Sequence, residues 1–293
     1  MSVTASDGAG MLDTASAASA RGERFRLLLR SPTFLVGFLT LLFWIGCALF
    51  GANLVPLDPY ADDLLNTLAP PSSDNWFGTD SLGRDVFSRV IVGARDILTM
   101  APLATILGTV VGTALGLITG YFRGIVDDVI SRFVEAFLAL PLVIVALLAL
   151  VALGPSDVMV VIVIGMVFAP IIARTVRSAV LLERELDYVA AAKLRREGAP
   201  HLMFVEILPN VMPPILVETT VRLGYAIFAV ATLSFIGFGI QPPSPDWALS
   251  ISSNYGLISG GYWWTVLFDG LSIASLVVSV NLVADGIQEA VNS

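Results

Sequence analysis

Six stretches of this chain are predominantly apolar: Phe34–Val55, Ile97–Phe122, Phe133–Leu153, Val158–Ala173, Val211–Ile240 and Trp263–Val283. A helix crosses the ~30 Å hydrocarbon core of a bilayer with roughly 20 such residues. Five stretches reach that length, and Val158–Ala173 reaches it by running past Arg174, whose long stem can snorkel. Strands of a membrane barrel would alternate in polarity, so a barrel is excluded. The charged fraction is 14%, against about a quarter in soluble domains, and the mean hydropathy is +0.84. The fold class that follows is an all-α integral membrane protein with six transmembrane helices.

Positive charge sets the orientation. Arg21, Arg24, Arg26 and Arg30 precede the first span and place the N-terminus in the cytoplasm; six spans return the C-terminus there. Arg123 and Arg132, then Arg174, Arg177, Arg184, Lys193, Arg195 and Arg196, fall in the later cytoplasmic segments. Arg84, Arg89 and Arg95 break the pattern, but they lie in a long external segment, and long loops translocate largely regardless of charge. Trp76, Trp247, Trp263, Trp264 and Tyr262 are expected at the outer interface as an aromatic belt. The expected division is a cytoplasmic tail over 1–30, disordered in its first residues, a first helix over 31–56, an external segment over 57–96, and a core of five helices over 97–293. The first apolar run exceeds a signal-peptide core, so an uncleaved anchor is predicted.

Several chemistries are excluded. A phosphate-binding loop needs Gly-x-x-x-x-Gly-Lys-Ser/Thr, and the single lysine, Lys193, is followed by Leu194. One histidine, His201, and one cysteine, Cys47, leave no paired-histidine metal site or disulfide, and a single histidine argues against a Ser-His-Asp triad. No catalytic residue, no metal and no cofactor of the chain's own is expected. The 24 acids and 16 bases give a net charge of −8, which reads as solvation of loops; no nucleic-acid partner is implied.

Three polar segments carry further information. In the external segment, Trp76-Phe77-Gly78-Thr79-Asp80-Ser81-Leu82-Gly83-Arg84-Asp85 contains glycines suited to turns and aspartates suited to accepting backbone amides. Between the fourth and fifth apolar runs lies Asp187-Tyr188-Val189-Ala190-Ala191-Ala192, then Gly198, then Ile207-Leu208-Pro209. After the fifth run comes Leu233-Ser234-Phe235-Ile236-Gly237-Phe238-Gly239 followed by Gln241-Pro242-Pro243. Gly237 and Gly239 are expected to loosen that helix end.

Together these segments resemble the dipeptide/oligopeptide permease family of ABC importers, over essentially Ser31 to Asn292. The resemblance implies that 187–210 is a cytoplasmic coupling loop whose small Ala face lies in a groove on an ATPase, with Pro209 stopping its helix before the fifth span. Two departures stand out: Ala190 occupies the place of the motif's Glu, and Arg196 that of its Gly, with Gly198 two places later. The resemblance further implies a second homologous permease subunit, ABC ATPase subunits that bind ATP and Mg, an extracytoplasmic substrate-binding protein, and a multi-pass location in the inner (plasma) membrane. Cargo in that family includes peptides, nickel complexes and haem.

Ionisable groups within apolar runs usually face a bundle interior or a water-filled path. Glu218 and Arg222 stand one turn apart and are predicted to pair, either as a structural unit or along the translocation path. Asp269, about 7 Å below the outer interface by helical rise, is expected to face a solute or water. Glu135 is expected to be hydrated or paired with Arg132. The alternative to an ATP-driven importer is a stand-alone proton-coupled transporter using Glu218, Arg222 and Asp269 as relay groups.

Overall fold

The computed structural model describes residues 31–292; the expected cytoplasmic tail and its arginines lie outside them. Every named element among the described residues is helical: α1 Pro32–Leu54, α2 Val86–Phe122, α3 Gly124–Leu138, α4 Leu142–Leu153, α5 Asp157–Glu183, α6 Asp187–Leu194, α7 Ala199–Phe235, α8 Trp247–Asn254 and α9 Trp264–Asn292. Five of these (α1, α2, α5, α7 and α9) are long and apolar enough to cross a membrane.

The sixth expected span is a bent pair of helices and not one continuous helix. α3 and α4 meet at 92°, where Pro141 supplies no amide and drives the residue before it out of the helical region. α4 has 12 residues, roughly 18 Å of helix, too short to cross alone. α3 carries Asp127, Asp128, Arg132 and Glu135, so the expected continuous run from Phe133 becomes a polar-faced helix turning into a short apolar one.

α2 also departs from expectation. It begins at Val86, not near Ile97, because Asp85 caps it: the carboxylate accepts the Ser88 amide at 2.8 Å and the Ser88 hydroxyl at 2.7 Å. The 86–96 part of the expected external segment is therefore helix. Over 37 residues α2 reaches about 55 Å and outruns the hydrocarbon core.

α2 and α5 run parallel in the tightest pairing of the fold. Gly108, Gly112, Gly116 and Gly120 face Gly165, Ala169 and Ile172, Val176, and Val180 in turn. A Cβ on Gly112 would stand 2.6 Å from the Ala169 carbonyl, and one on Gly116 would stand 2.6 Å from Val176 Cβ. Helices in lipid gain little from hydrophobic exclusion, so close backbone approach supplies the packing energy. α1 docks on α9 similarly, with Gly37 beneath Leu282 and the Trp44 indole donating to Ser275 Oγ at 2.9 Å. Val36, Leu39, Phe43 and Phe50 of α1 remain exposed, as a lipid-facing surface requires.

Pro209 does not stop a helix. The path from Ala199 to Phe235 is helical throughout, with a π-turn at Leu202–Ile207 immediately before Pro209. The wider turn shifts the hydrogen-bond register where the proline has no amide to give. The helix break falls earlier, at Arg195–Gly198.

Candidate functional site

Two ends and a central pair hold the polar residues of interest. At one end, 55–85 and 236–263 fold over the helices. Gly78 and Gly83 both take φ +77, and a Cβ on Gly83 would overlap the Asp63 carbonyl at 1.8 Å. Asp80 Oδ1 accepts the amides of Leu82 and Arg84 at 2.9 and 3.0 Å, and its Oδ2 accepts Arg84 Nε at 2.8 Å. Arg89 then joins the two loops, donating to the Pro59 carbonyl at 3.0 Å and the Ser244 carbonyl at 2.9 Å. The basic residues that broke the charge pattern are thus partly consumed inside this cap. Gly78, Asp80, Gly83, Arg84 and Asp85 all have structural work here.

Trp247 and Trp264 are buried and do not form an aromatic belt. Their indoles donate to the carbonyls of Val90 at 2.8 Å and Thr79 at 3.1 Å, pinning the cap to the helices. Trp76 and Trp263 are exposed. The end of α7 is stapled and not loosened: the Phe238 amide returns to the Leu233 carbonyl and the Gly237 amide to that of Ser234, with Gly237 at φ +90. Asp246 caps α8 through the Leu249 amide at 2.8 Å; its burial pushes the carboxyl up to about 6.

Asp269 is 3% exposed, within electrostatic reach of Arg89, Asp80 and Asp246. The expectation that it faces a solute or water is corrected: α9 turns it into the cap interior.

At the opposite end, α6 and the start of α7 form a helical hairpin. Val189, Ala192, Leu202 and Ile207 are buried in it, so Ala192 and Ile207 belong to its core. Asp187, Ala190, Ala191 and Leu194 recur at three- and four-residue spacing and form an exposed stripe, flanked by exposed Leu186 and Phe204. Leu208 is half-buried and Pro209 exposed.

The turn answers the sequence's missing glycine. Arg196 itself adopts φ +60. Its amide bonds the Lys193 carbonyl at 2.9 Å while the Glu197 amide reaches Ala192 at 3.4 Å, the two-bond closure that usually places glycine here. Gly198, two places later, has φ −72, and a Cβ there would make only an ordinary 3.8 Å contact with Pro200 Cδ, so nothing in its geometry requires glycine.

Side chains tie this hairpin to both long helices. The Tyr188 hydroxyl donates to Glu183 at the end of α5, at 2.9 Å; burial, then Glu183, pushes its pKa up to about 12. Arg195 holds Glu197 at 2.7 Å and Glu206 at 2.8 Å, and those bonds raise its own pKa. His201 pairs with Glu197. Glu197, His201 and Glu206 present ligand-type atoms within 4.8 Å of one another, yet Arg195 already brings the positive charge a cation would supply.

In mid-helix, Arg222 Nε meets Glu218 at 2.5 Å, with side chains 18% and 16% exposed. Thr175 of α5 donates to the other Glu218 oxygen at 3.3 Å. Glu135 pairs with Arg132 at 3.6 Å on the surface. Sequence reasoning missed Asp127, which Arg177 grips with two bonds of 2.6 Å, locking α3 to α5. Fifty positions separate the partners, and no local spacing signals such a pair.

These features define a polytopic helical membrane protein with a stapled cap at one end and a polar hairpin at the other. The family described as "Binding-protein-dependent transport system inner membrane component" matches residues 112–293. The chain is 37% identical over 281 residues to the "Dipeptide transport system permease protein DppC" of Alkalihalophilus pseudofirmus, covering 96% of this chain and 92% of that one. It is 37% identical to the "Di/tripeptide transport system permease protein DppC" of Pseudomonas aeruginosa, covering 87% and 86%. With the Escherichia coli "Dipeptide transport system permease protein DppC" it shares 39%, covering 90% and 89%. Among solved structures, an inward-facing form of the MetNI methionine ABC transporter aligns with a TM-score of 0.56 at 21% identity, covering 69% of this chain and 96% of that one; that likeness concerns the fold. The chain belongs to the family of binding-protein-dependent transport system inner membrane components, multi-pass permease proteins of ABC importers.

Proposed function

We propose that this chain is one of two related permease subunits in an ATP-driven importer of di- and oligopeptides. In this reading a binding protein delivers cargo at the capped end, outside the cell. An ATPase docks on the stripe of Asp187, Ala190, Ala191 and Leu194 in the cytoplasm. ATP and Mg bind on that partner, and hydrolysis is its work.

The observation that carries the reading is the double attachment of the hairpin. Tyr188 ties α6 to the end of α5, and Arg195 ties the turn to the start of α7. A push on α6 therefore moves two long helices together, and α5 carries α2 with it through the glycine stripe. Rigid-body rocking of that unit against a second permease would expose the passage alternately to each side. The names of the relatives support peptide cargo. Nickel or haem cargo would keep the same mechanism.

The test is Ala191→Asp in the assembled complex. A carboxylate pressed unpaired into a tight groove costs a few kcal/mol, so ATPase association or coupled uptake should fall while the chain still inserts. Normal assembly and uptake would remove the docking assignment.

A further inference from the structure

The Glu218–Arg222 pair sits at an unusual place. It lies near the middle of α7, half-buried, with exposed Leu216, Tyr225 and Phe228 close by. Charged groups facing hydrocarbon are costly and, where they occur, generally face water or protein. Residues 218, 222, 225, 229 and 232 recur at intervals of three and four, so they form one stripe along the helix. The part of that stripe beyond Arg222 lines an apolar cavity of about 160 Å³, which Ala146 of α4 and Val167 and Phe168 of α5 also line. Tyr225 belongs to both features: its ring lies 5.1 Å from the Arg222 guanidinium and also lines the cavity.

An ion pair bridged by Tyr225 to an apolar cavity further along the same helical stripe complements a molecule with one positive charge, one negative charge and an apolar side group. We infer that Glu218 and Arg222 receive the two termini of a short peptide during passage, the ammonium on Glu218 and the carboxylate on Arg222, while a side chain enters the cavity beside Tyr225. This rests on the reading of the chain as a peptide importer. Thr175, bonded to the second Glu218 oxygen, steadies that carboxylate as Arg222 turns away. Exchange of partners keeps every charge compensated: the zwitterion supplies both counter-charges as the pair opens, and the pair re-forms when the cargo leaves. A peptide with one blocked terminus leaves one protein charge unpaired and is rejected on that ground.

The experiment uses the complete importer in proteoliposomes, with alanyl-phenylalanine, its N-acetyl derivative and its C-terminal amide as labelled cargo. Wild type should favour the free dipeptide over each blocked form by about tenfold or more, as loss of a hydrogen bond to a charged group implies. Glu218→Gln should relieve the penalty on the N-acetyl form alone, and Arg222→Gln that on the amide alone. The double variant leaves no unpaired charge, so it should assemble, hydrolyse ATP and lose both pair-dependent penalties relative to wild type, keeping only the preference that the binding protein itself imposes. An unchanged binding protein contributes equally to every variant and cancels in these ratios. Ratios within about twofold of wild type, or a wild type that takes blocked and free peptides equally, would overturn the assignment. A wild type that imports no peptide at all would instead remove the underlying reading of function. A dipeptide with a photoreactive apolar side chain gives a readout without any variant. Label is expected on Tyr225 or Phe228, and label confined to other segments contradicts the inference.

Discussion

Arg195, just past the end of α6, holds Glu206 on the π-turn of α7 at 2.8 Å, closing the hairpin across its own turn. The contact is exposed and screened by salt, so it adds little to stability, but it sets how stiffly α6 is joined to α7. Arg195→Gln should leave assembly intact and lower the peptide moved per ATP hydrolysed, with the deficit largest at low ionic strength and shrinking as salt screens the wild-type contact. Paired uptake and hydrolysis measurements check this. An unchanged ratio at every salt concentration would show that the contact carries no force.

Arg196 spends free energy on a left-handed backbone that glycine adopts freely. Arg196→Gly should stabilise the hairpin by about 1 kcal/mol, and Gly198→Ala should be close to neutral. Thermal unfolding of the purified chain, followed by proteolysis at the 195–198 turn, reads both. If Gly198→Ala proved the more damaging of the two, the turn geometry would be wrongly placed.

The contrast between those two positions marks what the sequence could and could not disclose. Apolar length alone revealed the helices, because a bilayer demands it, and the helical spacing of Glu218 and Arg222 disclosed their pairing. The run Phe133–Leu153 was legible as one span but not as two helices meeting at 92° near Pro141, since the bend depends on what α3 packs against. Gly198 drew attention because glycine is the usual left-handed residue, yet backbone closure around Ala192 and Lys193 put Arg196 there instead. Asp269 looked solvent-facing because its neighbours in sequence are interfacial, yet the fold leaves it 3% exposed, and Arg89, 180 positions earlier, is among the charges that act on it. The glycines at 108, 112, 116 and 120 were visible at four-residue spacing, the one signal present and unused.

That stripe yields a stability prediction. Gly116→Leu drives a side chain into Val176 and the Ala173 carbonyl, which already stand 2.6 and 2.8 Å from an added Cβ. Overpacking of this kind costs about 1–3 kcal/mol or more. Gly124→Ala, whose Cβ would meet open space, bears only the strain of φ +60 and should be milder. Expression and detergent-phase melting of the two variants should separate them in that order.

Asp246 predicts a pH dependence. Its carboxyl titrates at about 6 in the folded chain, raised by burial and secondarily by Asp96, against a usual 3.8. The folded state thus holds the proton more tightly over that interval. Asp246's contribution is most favourable below about pH 4 and is lost as the pH rises through about 6. The difference is on the order of 3 kcal/mol. Asp246→Asn, which keeps a capping side chain on α8, should raise the melting temperature at pH 7.5 and flatten its slope between pH 4 and 6. Identical slopes for variant and wild type would count against this placement of Asp246.

The central claim is that this chain is a conduit worked by a partner's ATP hydrolysis through the hairpin. Uptake of a labelled dipeptide into proteoliposomes tests it, comparing the chain alone, the chain with its permease and ATPase partners, and the same complex carrying Ala191→Asp. Uptake should require the partners, a binding protein and ATP, and should fall sharply in the variant complex. Uptake by the chain alone, driven by an imposed proton gradient and indifferent to ATP, would contradict the account.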